Sequence, residues 1–268
     1  MASPKSDEDR WLRVFQPRPE REIRLVCFPH AGGAATYYFA MSQQLDPRFE
    51  VTAVQYPGRQ DRRTEPLVDS VPRLADQVAD ALAAVCEDGP FAFFGHSMGA
   101  VLAFEVARRL RDRGQAGPVR MFVSGRRAPS RVREGRVHLR DDQGLLEELR
   151  AVGGTDHRVL GDPELLAAVL PVTRNDYRAV ETYRWHGGAP LECPVTALVG
   201  DADPQTTVQD AEAWAGHTTG AFDLKVFQGG HFYLDAHRAA VCDAVSAALA
   251  GSCDDVGAAA TALEGSTS

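Results

Sequence analysis

The sequence has few lysines, because Lys5 and Lys225 are the only two among its 29 basic residues. Its 37 acidic residues give a formal net charge of -8, which does not favour non-specific binding to nucleic acid or to an anionic membrane. No apolar run approaches the length of a membrane span. Residues 1–10 lack the apolar segment of a secretory signal. We therefore expect a protein that binds neither nucleic acid nor membrane.

Cysteine is sparse and shows no disulfide pattern. Five cysteines form no C-x-x-C pair and leave one over: Cys27, Cys86, Cys193, Cys242 and Cys253. Such a set favours reduced, mostly buried thiols in a cytoplasmic protein over a disulfide framework. Internal repeats are also missing, and a length of 268 residues suits a single α/β domain.

A strand–turn–helix pattern covers residues 91–104. An apolar run ends at Gly95, a G-x-S-x-G pentapeptide follows over residues 95–99, and an Ala-rich helical stretch comes next. In a nucleophile elbow the serine sits on a tight turn, so the flanking glycines must lack side chains. Ser97 would then lie at a helix N-terminus, where N–H groups favour developing negative charge. The context favours a nucleophile over an incidental serine in a glycine-rich turn.

Apolar strand-like segments alternate with helical segments along most of the chain. This alternation implies βαβ units and a mostly parallel central sheet flanked by helices, which is the α/β class. The predicted strands are residues 23–28, 49–56, 91–95, 119–124, 194–200 and 222–227.

The alternation breaks between residues 124 and 194, where no strand fits. Two helical stretches are predicted there, at about 143–152 and 162–183, and Pro171 is expected to split or kink the second. We interpret residues 126–190 as a helical lid over the site. Its apolar residues either line an acyl pocket or only pack the lid onto the body; the pocket candidates are Leu145, Leu149, Leu166, Leu170 and Tyr177.

The two ends of the chain differ in composition from its middle. Residues 1–20 are polar, with two prolines, and are predicted to be a flexible lead-in. Residues 251–268 are rich in Gly, Ser, Ala and Asp and are predicted to be a disordered tail. We expect residues 21–250 to form a single domain.

Three polar residues follow predicted strands in the order serine, aspartate, histidine. A serine hydroxyl needs an adjacent base, and the base needs an acid that fixes its tautomer. Ser97, Asp203 and His231 supply these groups in the chain order of α/β-hydrolases. Each follows a different strand, so the ends of a parallel sheet would bring them together.

The sequence leaves alternatives for two members of this set. Among eight histidines, only His231 has both a glycine-flanked loop and the right place in the order. Asp201 competes with Asp203 for the acid, and we favour Asp203 because it lies farther past the strand end. A metal site of His231, Asp235 and His237 does not match a known ligand spacing, so we predict no metal.

The loop that follows the first predicted strand is rich in small residues. Residues 29–35 read Pro-His-Ala-Gly-Gly-Ala-Ala, so backbone N–H groups can face a ligand. Lipases and esterases place an oxyanion donor in such a loop, and the second donor is the residue after the nucleophile. We predict the N–H groups of Ala31 and Met98 as the oxyanion hole, with His30 shaping the loop and contacting substrate.

These motifs together resemble the type II thioesterases of polyketide and nonribosomal peptide assembly lines. P-H-A-G-G and Y-P-G-R are more specific than the serine motif, which many hydrolases share. The resemblance covers about residues 22–248, and the tails lie outside it. The matching segments are residues 28–33, 56–59, 95–99, 124–129, 200–203 and 229–232.

The resemblance implies an α/β-hydrolase fold and hydrolysis of acyl groups from the phosphopantetheine thiol of a carrier protein. It implies an editing role, the removal of aberrant or stalled acyl units. Partners would be acyl or peptidyl carrier protein domains, no cofactor would be needed, and the enzyme would be a monomer. The arginines of residues 126–140 either meet an acidic carrier protein or the pantetheine phosphate, or form a solvated, salt-bridged loop. Alternatives are a chain-releasing thioesterase of fatty-acid type, a general carboxylesterase and a non-catalytic binding protein of the same fold.

Overall fold

The computed structural model describes residues 10–154 and 161–265, and this part of the chain contains a seven-stranded sheet. The strand order is β1-β3-β2-β4-β5-β6-β7, and all neighbouring strands are parallel except the antiparallel pair β1 and β3. The mostly parallel α/β class predicted from the sequence is therefore observed. The strands are β1 (Leu12–Val14), β2 (Ile23–Phe28), β3 (Phe49–Val54), β4 (Phe91–His96), β5 (Met121–Ser124), β6 (Val195–Gly200) and β7 (Phe222–Phe227).

The strand register aligns the carboxyl ends of the central strands. Phe28 pairs with Gly95, and His96 pairs with Ser124. At the next pair of strands, Gly200 lies opposite Phe227. The loops that follow β2, β4, β5, β6 and β7 therefore share one edge of the sheet, where α/β folds place their binding sites.

Helices cover both faces of this sheet. Several begin with side-chain caps: Asp162 accepts from the N–H groups of Glu164 and Leu165, and Thr207 and Asp210 form a capping box. In the described chain none of the helices is both long and apolar enough to cross a bilayer. The helices are α1 (Phe39–Gln44), α2 (Val71–Ala81), α3 (Ala83–Glu87), α4 (Met98–Asp112), α5 (Asp142–Val152), α6 (Pro163–Thr182), α7 (Val208–Glu212), α8 (Tyr233–Ala236) and α9 (Arg238–Gly265).

Two apolar clusters fill the space between the sheet and its helices. Alternate residues of β4 divide between them: Phe91 and Phe93 face α2 and α4, whereas Ala92 and Phe94 face α1 and α9. All six residues of β4 are buried, as expected for a strand covered on both faces. The elbow at the end of β4 is therefore held by a strand packed on both sides.

Three expectations about the chain differ from the structure. The lead-in is not wholly flexible, because β1 adds an antiparallel edge strand to β3; residues 1–9 lie outside the described part. Pro171 does not split α6, which runs unbroken from Pro163 to Thr182. The tail predicted as disordered continues α9 to Gly265, because its many alanines favour a helix; residues 266–268 lie outside the described part.

Candidate active site

The turn between β4 and α4 holds Ser97 in a strained backbone conformation. Its φ is 55° and its ψ is -115°, a region that residues with a side chain rarely adopt. Gln60 is the other non-glycine residue with positive φ within the described chain. Strain of this kind persists where the surroundings enforce it, and it exposes the serine hydroxyl at the top of the sheet.

Gly99 shows why the elbow motif needs a glycine after the serine. A Cβ atom added to Gly99 would lie 1.9 Å from the carbonyl oxygen of Phe28 and 2.8 Å from that of Pro29. The first turn of α4 therefore packs directly on the chain leaving β2. This contact brings the elbow beside the loop predicted to donate to an oxyanion.

Asp203 and His231 meet at the same edge of the sheet. Asp203 lies three residues past the end of β6 and His231 four residues past the end of β7. The Nδ1 atom of His231 lies 2.8 Å from Oδ2 of Asp203, while Oδ1 accepts from the N–H of Gln205 at 2.7 Å. An imidazole that donates from Nδ1 leaves Nε2 free to act as a base.

The rival acid, Asp201, has a different position. Its side chain is exposed, and its Oδ1 atom accepts from the N–H of Gly229 at 2.8 Å. Asp201 thus ties the loop after β6 to the loop after β7, whereas Asp203 is 8% exposed and contacts the imidazole. Of the two carboxylates left open by the sequence, the structure brings Asp203 to His231.

Ser97 and His231 line one cavity of about 270 Å³. The ring of His231 lies 4.9 Å, between centroids, from the ring of His96, the residue before Ser97. The Ser97 hydroxyl makes no hydrogen bond with any residue that the structure describes. Catalytic hydrogen bonds commonly form only when substrate binds. The cavity that Ser97 and His231 share is therefore the observation that pairs them.

His30 and His96 surround His231 with buried neutral imidazoles. Burial, then the charges of His231 and Arg59, lower the pKa of His30 from 6.5 to about 3. Burial, then His231 and His30, also lower the pKa of His96 well below its usual value. His96 Nδ1 lies 2.9 Å from Ser124 Oγ. Both residues therefore stay uncharged at neutral pH and form a low-dielectric wall beside the base.

The depressed pKa of His30 predicts a loss of stability in acid. The unfolded chain protonates this group below about pH 6.5 and the folded chain does not, so stability falls as the pH drops. Between pH 7.5 and pH 5 this group alone lowers the free energy of unfolding by about 2 kcal/mol. We expect His30→Phe to remove that part of the pH dependence, measured by urea unfolding at both pH values. An unchanged pH dependence in the variant would contradict the burial of a neutral His30.

The loop after β2 includes the predicted oxyanion donor Ala31. The N–H of Gly33 donates to the carbonyl oxygen of His30 at 2.9 Å, and the N–H of Gly32 donates to Asp176 at 2.8 Å. The N–H groups of Ala31 and Met98 donate no hydrogen bond to the described residues. Ala31 also lines the cavity with Ser97. Met98 is 1% exposed and is not among the described residues that line the cavity, so its role as the second donor stays a prediction.

The predicted acyl-pocket residues divide into two groups. Leu149, Tyr177 and His30 line the cavity. Among the described lining residues we do not find the other three: Leu145, Leu166 and Leu170. Leu145 is buried and fills the interior of the insertion, and the two leucines of α6 are half-buried. Leu145 therefore has the packing role that the sequence left open, and the roles of Leu166 and Leu170 stay a prediction.

The cavity wall is more basic than the predicted apolar pocket. Arg126 lines it, and its Nε atom is buried without a hydrogen-bond partner. Burial, then the charge of Arg127, lowers the pKa of Arg126 from 12.5 to about 9. Its nearby acid, Glu181, already accepts from His138 Nδ1 and from two backbone N–H groups. Arg126 therefore offers a donor to whatever fills the cavity.

Metal ligation is not a feature of the described residues. They contain no group of three or more His, Cys, Asp or Glu side chains placed to hold an ion. His237, which the sequence placed near His231, instead lies with its Nε2 atom 2.8 Å from the carbonyl oxygen of Gln228.

Two site residues escaped the sequence interpretation. Asp176 contacts the loop after β2 from helix α6, and His96 packs against the ring of His231. The available signal for Asp176 was its helical spacing from Val172 and Val180, which places a carboxylate on the buried face of α6. A charge on an apolar helix face needs a partner.

Comparison with known proteins places these features in one family. The thioesterase domain family matches residues 23–249. Thioesterase PikA5 of Streptomyces venezuelae is 48% identical over 240 residues, which cover 90% of this chain and 85% of that protein. A probable cadicidin biosynthesis thioesterase of Streptomyces griseus is 50% identical over 240 residues, which cover 90% of this chain and 66% of that protein.

A solved structure shares the architecture. The type II thioesterase BorB from the borrelidin biosynthetic cluster superposes with a TM-score of 0.83 at 47% identity, covering 91% of this chain and 98% of that one. The α/β-hydrolase fold expected from the sequence is therefore confirmed, and close homologues are type II thioesterases of polyketide and nonribosomal peptide pathways. The chain belongs to the thioesterase domain family and is a thioester hydrolase.

Proposed function

We propose that the protein hydrolyses acyl groups from the phosphopantetheine thiol of a carrier protein and so removes aberrant or stalled units from a synthase. One observation carries this proposal: Ser97 and the Asp203-bound imidazole of His231 line the same cavity. Ala31 lines that cavity too, and its N–H donates no hydrogen bond to the described residues. The similarity to the type II thioesterase BorB supports the editing role.

In the proposed acylation step, Ser97 Oγ attacks the thioester carbonyl carbon while His231 Nε2 takes its proton. The carbonyl oxygen gains negative charge and accepts from the N–H groups of Ala31 and Met98. The C–S bond then breaks, and the departing sulfur takes the proton from His231. The products of this step are an acyl-serine ester and the free pantetheine thiol.

In the proposed deacylation step, water replaces the thiol beside His231. The imidazole takes a proton from water as its oxygen attacks the ester carbonyl carbon, and the same two N–H groups hold the second oxyanion. The C–O bond to Ser97 breaks, and His231 returns the proton to the serine. The balanced reaction is thioester plus water to carboxylic acid plus thiol, so it needs neither a metal nor a redox cofactor.

A substrate competition tests the proposed function. Short acyl groups are offered on a carrier protein, on free pantetheine and as matched oxygen esters, with mature chains on the same carrier. We expect the highest kcat/KM for short acyl-carrier substrates. Release of mature chains alone would indicate a chain terminator, and oxygen-ester turnover equal to thioester turnover would indicate a carboxylesterase.

Arg126 provides a prediction about substrate binding. Its guanidinium stays charged at neutral pH and lines the cavity, and it forms no ion pair with a carboxylate of the described residues. We therefore expect it to bind an oxygen of the acyl-phosphopantetheine arm. Arg126→Met should raise KM about tenfold with little change in kcat, as for an interaction of equal strength in ground and transition states. Initial rates with acyl-phosphopantetheine measure both constants.

A matched variant and a shorter substrate complete the Arg126 test. Arg48→Met removes an arginine just before the start of β3, at the edge of the sheet away from the cavity, and should leave both constants unchanged. Acyl-N-acetylcysteamine, which lacks most of the arm, should show a smaller difference between wild type and Arg126→Met. A fall in kcat with KM unchanged would contradict the binding role.

We further propose that the enzyme acts in the cytoplasm as a monomer whose partner is an acyl or peptidyl carrier protein. Residues 126–190 would form the lid over the cavity. The net charge of -8 supports the expected lack of affinity for nucleic acid and anionic membranes. Light scattering of the purified protein tests the monomer, and titration with an acylated carrier protein tests the partner.

A further inference from the structure

Helix α6 of the insertion places a carboxylate against the oxyanion loop. Asp176 is 2% exposed and lies on the buried face of this helix. Its Oδ2 atom accepts from the N–H of Gly32 at 2.8 Å and pairs with Nη2 of Arg59. Asp176 and its two partners come from three distant segments, so one carboxylate joins the insertion, the loop after β2 and the loop after β3.

Arg59 is itself held in place by the segment that contains it. It is 7% exposed, its Nη1 atom donates to the carbonyl oxygen of Pro57 at 2.8 Å, and its guanidinium carbon lies 5.1 Å from the ring centre of Tyr56. The Tyr56 hydroxyl donates to the carbonyl oxygen of Pro29 at 3.1 Å. The Y-P-G-R segment therefore fixes the start of the oxyanion loop and the partner of Asp176.

Gly32 lies against helix α6 in a left-handed backbone conformation. Its φ is +76°, and a Cβ atom there would lie 2.5 Å from Oγ1 of Thr173, one turn before Asp176 on the same helix. Helix α6 thus packs directly on the backbone of Gly32. With the N–H of Gly32 committed to Asp176 and that of Gly33 to His30, the N–H of Ala31 remains available.

We propose that Asp176, held by Arg59, is a positioning residue that sets the oxyanion hole by fixing the loop from His30 to Gly33. This inference rests on the proposed function, because it assigns an oxyanion to the N–H of Ala31. Asp176 does not touch the substrate in this account; it acts through Gly32. The insertion therefore takes part in the chemistry as well as covering the cavity.

The test compares three variants of the full-length protein with butyryl-phosphopantetheine as substrate. Asp176→Ala removes the acceptor of the Gly32 N–H, Asp176→Asn keeps an acceptor but loses the ion pair, and Arg59→Lys keeps a charge with a different shape. Displacement of catalytic groups by about 1 Å costs about 100-fold. We expect kcat to fall about 100-fold in Asp176→Ala and less in the other two, with KM changed less than about threefold.

A second readout separates positioning from simple loss of stability. Butylboronic acid forms a tetrahedral adduct with the serine and places an oxygen in the oxyanion hole, so its affinity should fall in parallel with kcat/KM. Ala31→Pro removes the proposed donor. In that background Asp176→Ala should lower kcat and boronic acid affinity little further, because both changes affect one interaction. Asp142→Asn breaks an exposed ion pair with Arg174 on the same insertion and serves as the matched control.

The outcomes are distinguishable. A lower Tm with unchanged kcat in the folded protein, or additive losses in the Ala31→Pro background, would overturn the positioning role and leave the proposed function intact. Full activity of Ser97→Ala would instead overturn the proposed function. Parallel loss of kcat and boronic acid affinity in Asp176→Ala, with neither changed in Asp142→Asn, supports the inference.

Discussion

Ser97→Ala is expected to lower kcat for thioester hydrolysis by about 10⁵- to 10⁶-fold, the loss typical of a serine nucleophile in a catalytic triad. The hydroxyl at the elbow is the atom that becomes acylated, and alanine offers no replacement. The overall fold should persist, since the strained turn is held by β4 and α4. Thiol release from an acyl-pantetheine substrate measures the loss.

Two controls make the Ser97 result specific. Ser246→Ala, on α9 and away from the cavity, should keep wild-type activity. A fluorophosphonate probe should label the wild-type protein at Ser97 and fail to label Ser97→Ala. Undiminished hydrolysis by Ser97→Ala, with labelling at another serine, would show that the other serine is the nucleophile.

Asp203→Asn should lower kcat by about 10⁴-fold, because an amide in place of the carboxylate favours the wrong tautomer of the catalytic imidazole. In this protein Asp203 Oδ2 faces Nδ1 of His231 at 2.8 Å, and Oδ1 is already occupied by the N–H of Gln205. Steady-state kinetics at constant pH measure the effect.

Asp201→Asn is the matched control for this substitution. Asp201 is the same residue type two positions away, and its oxygen accepts a hydrogen bond from the backbone N–H of Gly229. The side-chain oxygen of an asparagine can accept the same hydrogen bond. We expect less than about a tenfold loss of kcat. A larger loss in Asp201→Asn than in Asp203→Asn would reverse the assignment of the acid.

The elbow and the positions of six of the seven strands along the chain could be predicted from the sequence because local patterns determine them. The glycines around Ser97 are required by contacts within a few residues or with the adjacent strand, as Gly99 shows against Phe28. Buried parallel strands appear as nearly continuous apolar runs, and the predicted strand over residues 194–200 contains β6, whose six residues are all buried. Asp203 follows β6 and His231 follows β7, and the parallel pairing of these two strands places both residues at one edge of the sheet.

The contact between Arg59 and Asp176 could not be predicted in this way. The two residues are 117 positions apart, and no local period relates them. The sequence indicated an acyl pocket from the apolar residues of this helix, whereas the carboxylate among them forms a hydrogen bond with the oxyanion loop. Charge pairing between an insertion and the body depends on how the two pack, which a single sequence does not encode locally.

The histidine cluster shows a related limit. The sequence placed His30 in a loop and His96 inside the elbow, but it did not indicate that their rings lie 6.0 Å apart and that His96 packs on His231. Phe232 completes this group, with its ring 4.8 Å from that of His30. Burial of the imidazoles, and hence the low pKa of His30, arises from three separate loops meeting at the sheet edge.

The most direct test of a serine-linked intermediate is mass spectrometry of the enzyme rapidly quenched during turnover of a short acyl-carrier protein. The account predicts that the enzyme gains the mass of the acyl group and that peptide mapping places it on Ser97. A His231 variant that has been acylated with a reactive acyl ester should keep the adduct longer than the wild type. The variant lacks the base that activates water. Turnover without any acyl adduct, or an adduct on a residue other than Ser97, would contradict it.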